Sequence, residues 1–92
     1  MVNLNNVQTL LVNSGYTLNS TYNGNGITNH VYISGCGVFE IELVSYGEGE
    51  YSVLLTNLVW ENTLPFKNVP LNGVYSVVLN MVNLVNSYNV YQ

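Results

Sequence analysis

The letters NGNG at positions 23–26 constrain the fold of this chain more than any other segment. Asn and Gly tolerate positive φ values, which the tight turns of β-hairpins require. Polar and apolar residues alternate before this turn, over residues 16–22, and a β-branched run follows at Ile27–Ile33. The segment therefore predicts two antiparallel strands joined by a short turn.

Two further strands are predicted after the glycine-rich break at residues 35–37. Residues 38–45 alternate strictly, which places Phe39, Ile41 and Leu43 on a core face and Glu40 and Glu42 on the opposite face. Residues 51–60 are predicted as a fourth strand, apolar on both faces at its end. Because residues 61–73 contain two prolines, we predict a loop there.

Both ends of the chain are predicted to be helical. Near the start, Leu4, Val7, Leu10 and Leu11 have helical spacing, and Gly15 follows the last turn. Residues 74–88 are predicted to form a helix whose polar side chains lie on one narrow stripe, so that most of its circumference is apolar. Because Val is a poor helix former, strand remains the alternative for part of this segment. One side of this helix can pack on the sheet, and the remainder requires a second partner. We therefore predict an oligomer interface formed by Tyr75, Val78, Val82, Val85 and Tyr88.

The predicted architecture is α+β, in the order αββββα, with an antiparallel meander sheet and the N- and C-terminal helices packed against it. The length of 92 residues fits a single domain over residues 1–92.

Charge is almost absent from the chain. It has sixteen Asn but one Lys and no Arg, Asp or Ala, and charged residues make up 7% against about 25% in typical domains. Such a chain stays nearly neutral in acid, where a domain rich in Lys and Arg becomes strongly cationic. The composition argues against direct nucleic-acid binding, which needs several cations to neutralise phosphates. No apolar stretch is long enough to predict a membrane span.

Chemistry-bearing residues are few. His30 and Cys36 are the sole members of their types, and a nucleophile pair built on them matches no known local spacing. A structural zinc site needs about four Cys or His ligands, and calcium sites usually use Asp. We therefore predict no catalytic residues, no metal and no cofactor. Asn19 begins a glycosylation sequon, a pattern that arises often by chance in an Asn-rich chain.

Two functional hypotheses follow. The first is a non-catalytic structural or interaction protein that self-associates through its apolar C-terminal helix, such as an acid-exposed extracellular or virion component. The second is a small viral or phage inhibitor that binds a host protein inside an infected cell. For the second, the partner-binding surface would be the acidic hairpin that carries Glu40, Glu42, Glu48 and Glu50.

Overall fold

A computed structural model describes residues 4–47 and 49–90, with the side chains of residues 88–90 outside the description. It confirms the α+β prediction. Helix α1 and helix α2 frame five antiparallel strands, which form one sheet in the order β1-β2-β3-β4-β5. The element bounds are α1 Leu4–Asn13, β1 Thr17–Gly24, β2 Ile27–Ile33, β3 Phe39–Ser45, β4 Glu50–Asn57, β5 Asn62–Pro70 and α2 Leu71–Val90.

Helix α1 ends as its sequence predicts. Gly15 has a φ of 90°, which an L side chain rarely adopts. Its N–H donates to the carbonyl of Val12, and the N–H of Tyr16 donates to the carbonyl of Leu11 at 2.9 Å. These two bonds form a Schellman motif, which satisfies carbonyls in the last turn and directs the chain into β1.

The predicted hairpin is confirmed. Asn25 and Gly26 have φ values of 55° and 77°, as a two-residue type I′ turn requires. The turn pairs Gly24 with Ile27 and sets the register of β1 against β2. A bulge between Leu18 and Ser20 shifts that register near the start of β1.

The sheet has one strand more than predicted, because residues 62–70 form β5 rather than a loop. Pro65 and Pro70 lie in this strand, and β5 is an edge strand that pairs only with β4. Proline is tolerated at an edge, where the strand's outer side needs no ladder donor. Asn68, with a φ of 58°, lies where the pairing of β5 with β4 is irregular.

Both helices pack on the same face of the sheet. Val7 and Leu11 of α1 and the buried side of α2 join one core cluster with side chains of β3 and β4. Helix α1 also lies against α2. The core is therefore a single layer between two helices and one sheet face.

Candidate interaction surface

The second face of the sheet is covered by neither helix. Direct cross-strand partners share a face, and Ile41 and Leu43 of β3 belong to the core beneath the helices. The alternate residues of β3 and of its neighbours therefore point the other way. We call this surface the open face, and define its apolar part as Ile27, Val31, Ile33 and Leu54, since Val44 on the same side is only 8% exposed.

Strand β2 is patterned for burial on the open face. Its helix side carries Thr28, His30 and Tyr32, whereas its open side carries Ile27, Asn29, Val31 and Ile33. An antiparallel sheet with one solvated face normally places polar residues on that face. Here three of the four open-face residues of β2 are aliphatic, and two of the three on the helix side are polar. The sequence of β2 is therefore the reverse of what a solvated face requires.

Polar side chains on the open face bond to one carboxylate and to one another. The Asn29 side-chain amide donates to the Glu42 carboxylate, and the Asn29 oxygen is buried with no partner among the described residues. Ser52 donates its hydroxyl to the Tyr46 oxygen at 3.3 Å beside the buried side chain of Val44. The centre of the face thus combines aliphatic side chains with amide and hydroxyl groups and the Glu42 carboxylate.

The predicted acidic surface is spread out along the open face. Glu40 and Glu42 lie in the middle of β3, opposite Thr56 and Leu54 of β4. Glu50 is at the start of β4, four residues before Leu54, and so about 13 Å away along the strand. Glu48 lies outside the described residues. Two central carboxylates, rather than a tight cluster, therefore define the acidic character of this face.

The predicted interface on the C-terminal helix needs correction. Val78, Val82 and Val85 are buried in the chain's own core, where they are not available to a second copy. The partner that the apolar arc requires is α1, which packs along α2 within the same chain. Tyr75 is partly exposed in a groove between the two helices, and the side chain of Tyr88 lies outside the described residues.

His30 and Cys36 bond to different neighbours. His30 is on the helix side of β2, with its Nδ1 3.3 Å from the Thr21 hydroxyl. The exposed Cys36 follows β2 in a turn, with its Sγ 3.3 Å from the Ser34 hydroxyl. That hydroxyl, and then the backbone N–H of Val38, lowers the pKa of the thiol. Among the described residues no group of three or more His, Cys, Asp or Glu is placed to hold a metal ion.

A second exposed surface lies at the turn between β4 and β5, where the sequence predicted continued strand. Leu58, Val59 and Trp60 form a hairpin tip, and Val59 and Trp60 are 69% and 68% exposed. The Asn57 side-chain oxygen accepts the N–H groups of Val59 and Trp60, both at 3.0 Å. Leu58 donates its N–H to the carbonyl of Val38 at 2.7 Å. The hairpin tip is therefore held in a defined shape.

An apolar hollow lies beside the base of the hairpin tip. We call it the end pocket; it has a volume of about 190 Å³. Its apolar walls are Phe39, Leu55, Leu64 and Leu84, and Asn57, Asn62 and Thr63 add polar groups. Leu84 comes from α2 and Leu64 from β5, and both are well exposed. Sequence reasoning missed this pocket because its walls come from four separate elements.

Comparisons with family models, curated proteins and solved structures found no match to this chain. Within the described residues, neither helix has the length and hydropathy needed to cross a membrane.

Proposed function

We propose that this chain is a non-catalytic structural or interaction protein that self-associates by stacking the open faces of two copies. The reversed pattern of β2 carries the proposal: Val31 and Ile33 are placed where a solvated sheet would carry polar residues. This keeps the self-association predicted from the sequence but moves it from α2 to the sheet.

The size of the open face suits such a contact. Five strands spaced about 4.8 Å apart, with about seven residues each, give a footprint of about 24 by 23 Å, or roughly 550 Å² per copy. Two stacked faces would bury somewhat more than about 1,000 Å² in total, which is near the lower bound for a specific interface. Packed sheets lie about 10 Å apart, so aliphatic side chains of the two faces can interdigitate.

Carboxylates oppose this contact at neutral pH. Glu40 and Glu42 lie within the footprint and Glu50 at its margin. Tyr22 and Tyr46 are also on this face, and Lys67, one residue after a helix-side position of the edge strand β5, adds a cation at its border. Burying an ionised carboxylate without a cationic partner is costly, whereas a protonated one is cheaper to bury. Stacking is therefore expected to take up protons and to be stronger in acid, in line with the low charge of the chain.

The first test is the mass in solution at pH 3 and pH 7, measured by light scattering with a matched pair of variants. Val31→Lys places a charge in the footprint, opposite Glu42 within the same sheet, so that the monomer can still fold. Val12→Lys is the control, because Val12 is a valine on α1 that is 60% exposed. At pH 3, where carboxyl groups are largely protonated and do not pair with the new ammonium group, we expect Val31→Lys to weaken stacking at least about 100-fold, or about 2.8 kcal/mol, and Val12→Lys to leave it unchanged. A wild-type monomer at both pH values, or equal effects of the two variants, would refute the proposal.

A host-binding inhibitor is the second candidate, favoured by the shared position of Glu40 and Glu42 on an uncovered surface. The two functions predict opposite results for the Glu40→Gln and Glu42→Gln double variant. Removing the carboxylates should strengthen self-stacking at pH 7, because it removes the cost of burying charge. The same change should weaken a complex with a basic partner, because it removes the attraction.

A further inference from the structure

The hairpin tip and the end pocket lie at the same end of the molecule. Asn57, the last residue of β4, pairs with Asn62, the first residue of β5, and the hairpin tip lies between them. Both residues also line the end pocket. One end of the chain therefore presents an apolar projection and an apolar hollow side by side. Neither feature is part of the open face.

This combination fits one occupant, a second copy of the chain. A contact with two-fold symmetry uses the same surface patch on both partners, so the patch must be complementary to itself. A projection alone cannot satisfy this condition, because two projections collide, but a projection next to a hollow can. We propose that two copies join end to end, with Trp60 of each inserted into the end pocket of the other.

The chemistry of the pocket suits an indole. Its volume of about 190 Å³ opens to solvent, so that an aromatic ring can enter it from outside. Phe39, Leu64 and Leu84 supply apolar walls for the ring. The indole N–H needs an acceptor when buried, and Asn62, whose side chain carries an amide oxygen, lines the pocket.

The rigidity of the tip favours binding. Asn57 holds the N–H groups of Val59 and Trp60, so their backbone is ordered before any partner arrives. Docking a preformed tip loses less conformational entropy than docking a flexible loop. Aromatic residues such as Trp are also common anchors at the centres of protein interfaces.

End-to-end joining goes beyond the stacking of open faces, because the two contacts use different parts of the chain. A copy that uses both contacts links to two neighbours through two different two-fold axes. Such alternation joins copies into assemblies larger than a dimer, as a structural component requires. Each contact can be lost without the other.

The test combines one variant for each contact and uses Trp60, the chain's sole Trp, as the reporter. Val59→Lys places a charge in the tip but keeps the reporter, and Val12→Lys is the matched control. In the Val31→Lys background, sedimentation should show a dimer whose Trp60 emission moves to longer wavelength on dilution. Adding Val59→Lys should weaken that dimer at least tenfold and move the change in Trp60 emission to at least tenfold higher protein concentration. Adding Val12→Lys should change neither.

Three results would overturn the end-to-end contact. The first is a strictly monomeric Val31→Lys variant, and the second is a dimer that Val59→Lys does not weaken. The third is a Trp60 emission that shortens only when phosphatidylcholine vesicles are added, since that would assign the tip to a lipid surface. A failure of open-face stacking alone gives a different result. The Val31→Lys variant would then form assemblies of the same mass as the wild type, and Val59→Lys would still reduce the mass of the assembly.

Discussion

Tyr16 offers the sharpest test of the packing of the core. Its side chain is 4% exposed, and its hydroxyl is buried with no hydrogen-bond partner among the described residues. Leaving a buried polar group unsatisfied costs about 1–3 kcal/mol. Tyr16→Phe removes the oxygen and keeps the ring, so the free energy of unfolding should rise by about 1 kcal/mol or more. For a domain of this size, each kcal/mol corresponds to about 4–8 °C in Tm.

The same residue predicts a change in stability at high pH. Burial, with a smaller contribution from the charge of Cys36, raises the pKa of Tyr16 from 10.0 to about 12. The unfolded chain therefore loses this proton at a lower pH than the folded chain. Because the folded state disfavours the phenolate, this group leaves stability unchanged below pH 10 and lowers it as the pH rises from 10 to about 12. Tyr16→Phe should therefore lose less stability than the wild type over this range.

Urea unfolding followed by circular dichroism measures both effects, because the signal reports the whole backbone rather than the exposed Trp60. Tyr46→Phe is the control: Tyr46 is exposed, and its hydroxyl is bonded to Ser52, so its loss should be neutral or slightly destabilising. A Tyr16→Phe variant with a lower Tm than the wild type would show that the hydroxyl makes a favourable bond, and the reasoning would be refuted.

Two further predictions concern α2 and the thiol. Val78→Ala should lower the free energy of unfolding by about 1–3 kcal/mol, because Val78 is fully buried. Leu84→Ala, at a site that is 53% exposed, should change it by about 0.5 kcal/mol or less. If chemical denaturation gave similar losses for the two variants, the orientation of α2 would be contradicted. Cys36 should react with iodoacetamide at lower pH in the folded protein than in urea, because the Ser34 hydroxyl lowers the pKa of the thiol. Ser34→Ala should move the pH midpoint of the alkylation rate upward. An unchanged midpoint would exclude that hydrogen bond as the cause.

Local sequence signals predicted most of the elements because their causes are local. The turn at Asn25 and Gly26 and the end of α1 at Gly15 each depend on a backbone conformation that a few neighbouring residues dictate. The fifth strand was missed for a related reason. Pro65 and Pro70 argue against a strand within a sheet, and only the order of the strands reveals that β5 is an edge.

The interaction surfaces depend on contacts between distant residues, which local patterns do not encode. The apolar arc of α2 predicts an interface with a second copy, but α1 of the same chain packs against this helix, and a pattern on one helix does not distinguish these two partners. The alternating sequence of β2 likewise does not show which of its two sets of side chains faces the helices. Only the register with β3, in which His30 pairs with Leu43, shows which side the helices cover. The hairpin tip was read as strand because Leu58, Val59 and Trp60 are all good strand formers.

The meander order has a consequence for how the chain folds as it is made. Each strand pairs with its neighbour in sequence, so the sheet can form through short loop closures, which are entropically cheap and fast. The contact of α1 with α2 is different, because it joins the first described element to the last. During synthesis, Val7 and Leu11 therefore have no helix to pack against until α2 has left the ribosome. We therefore expect the contact between the two helices to complete the core last.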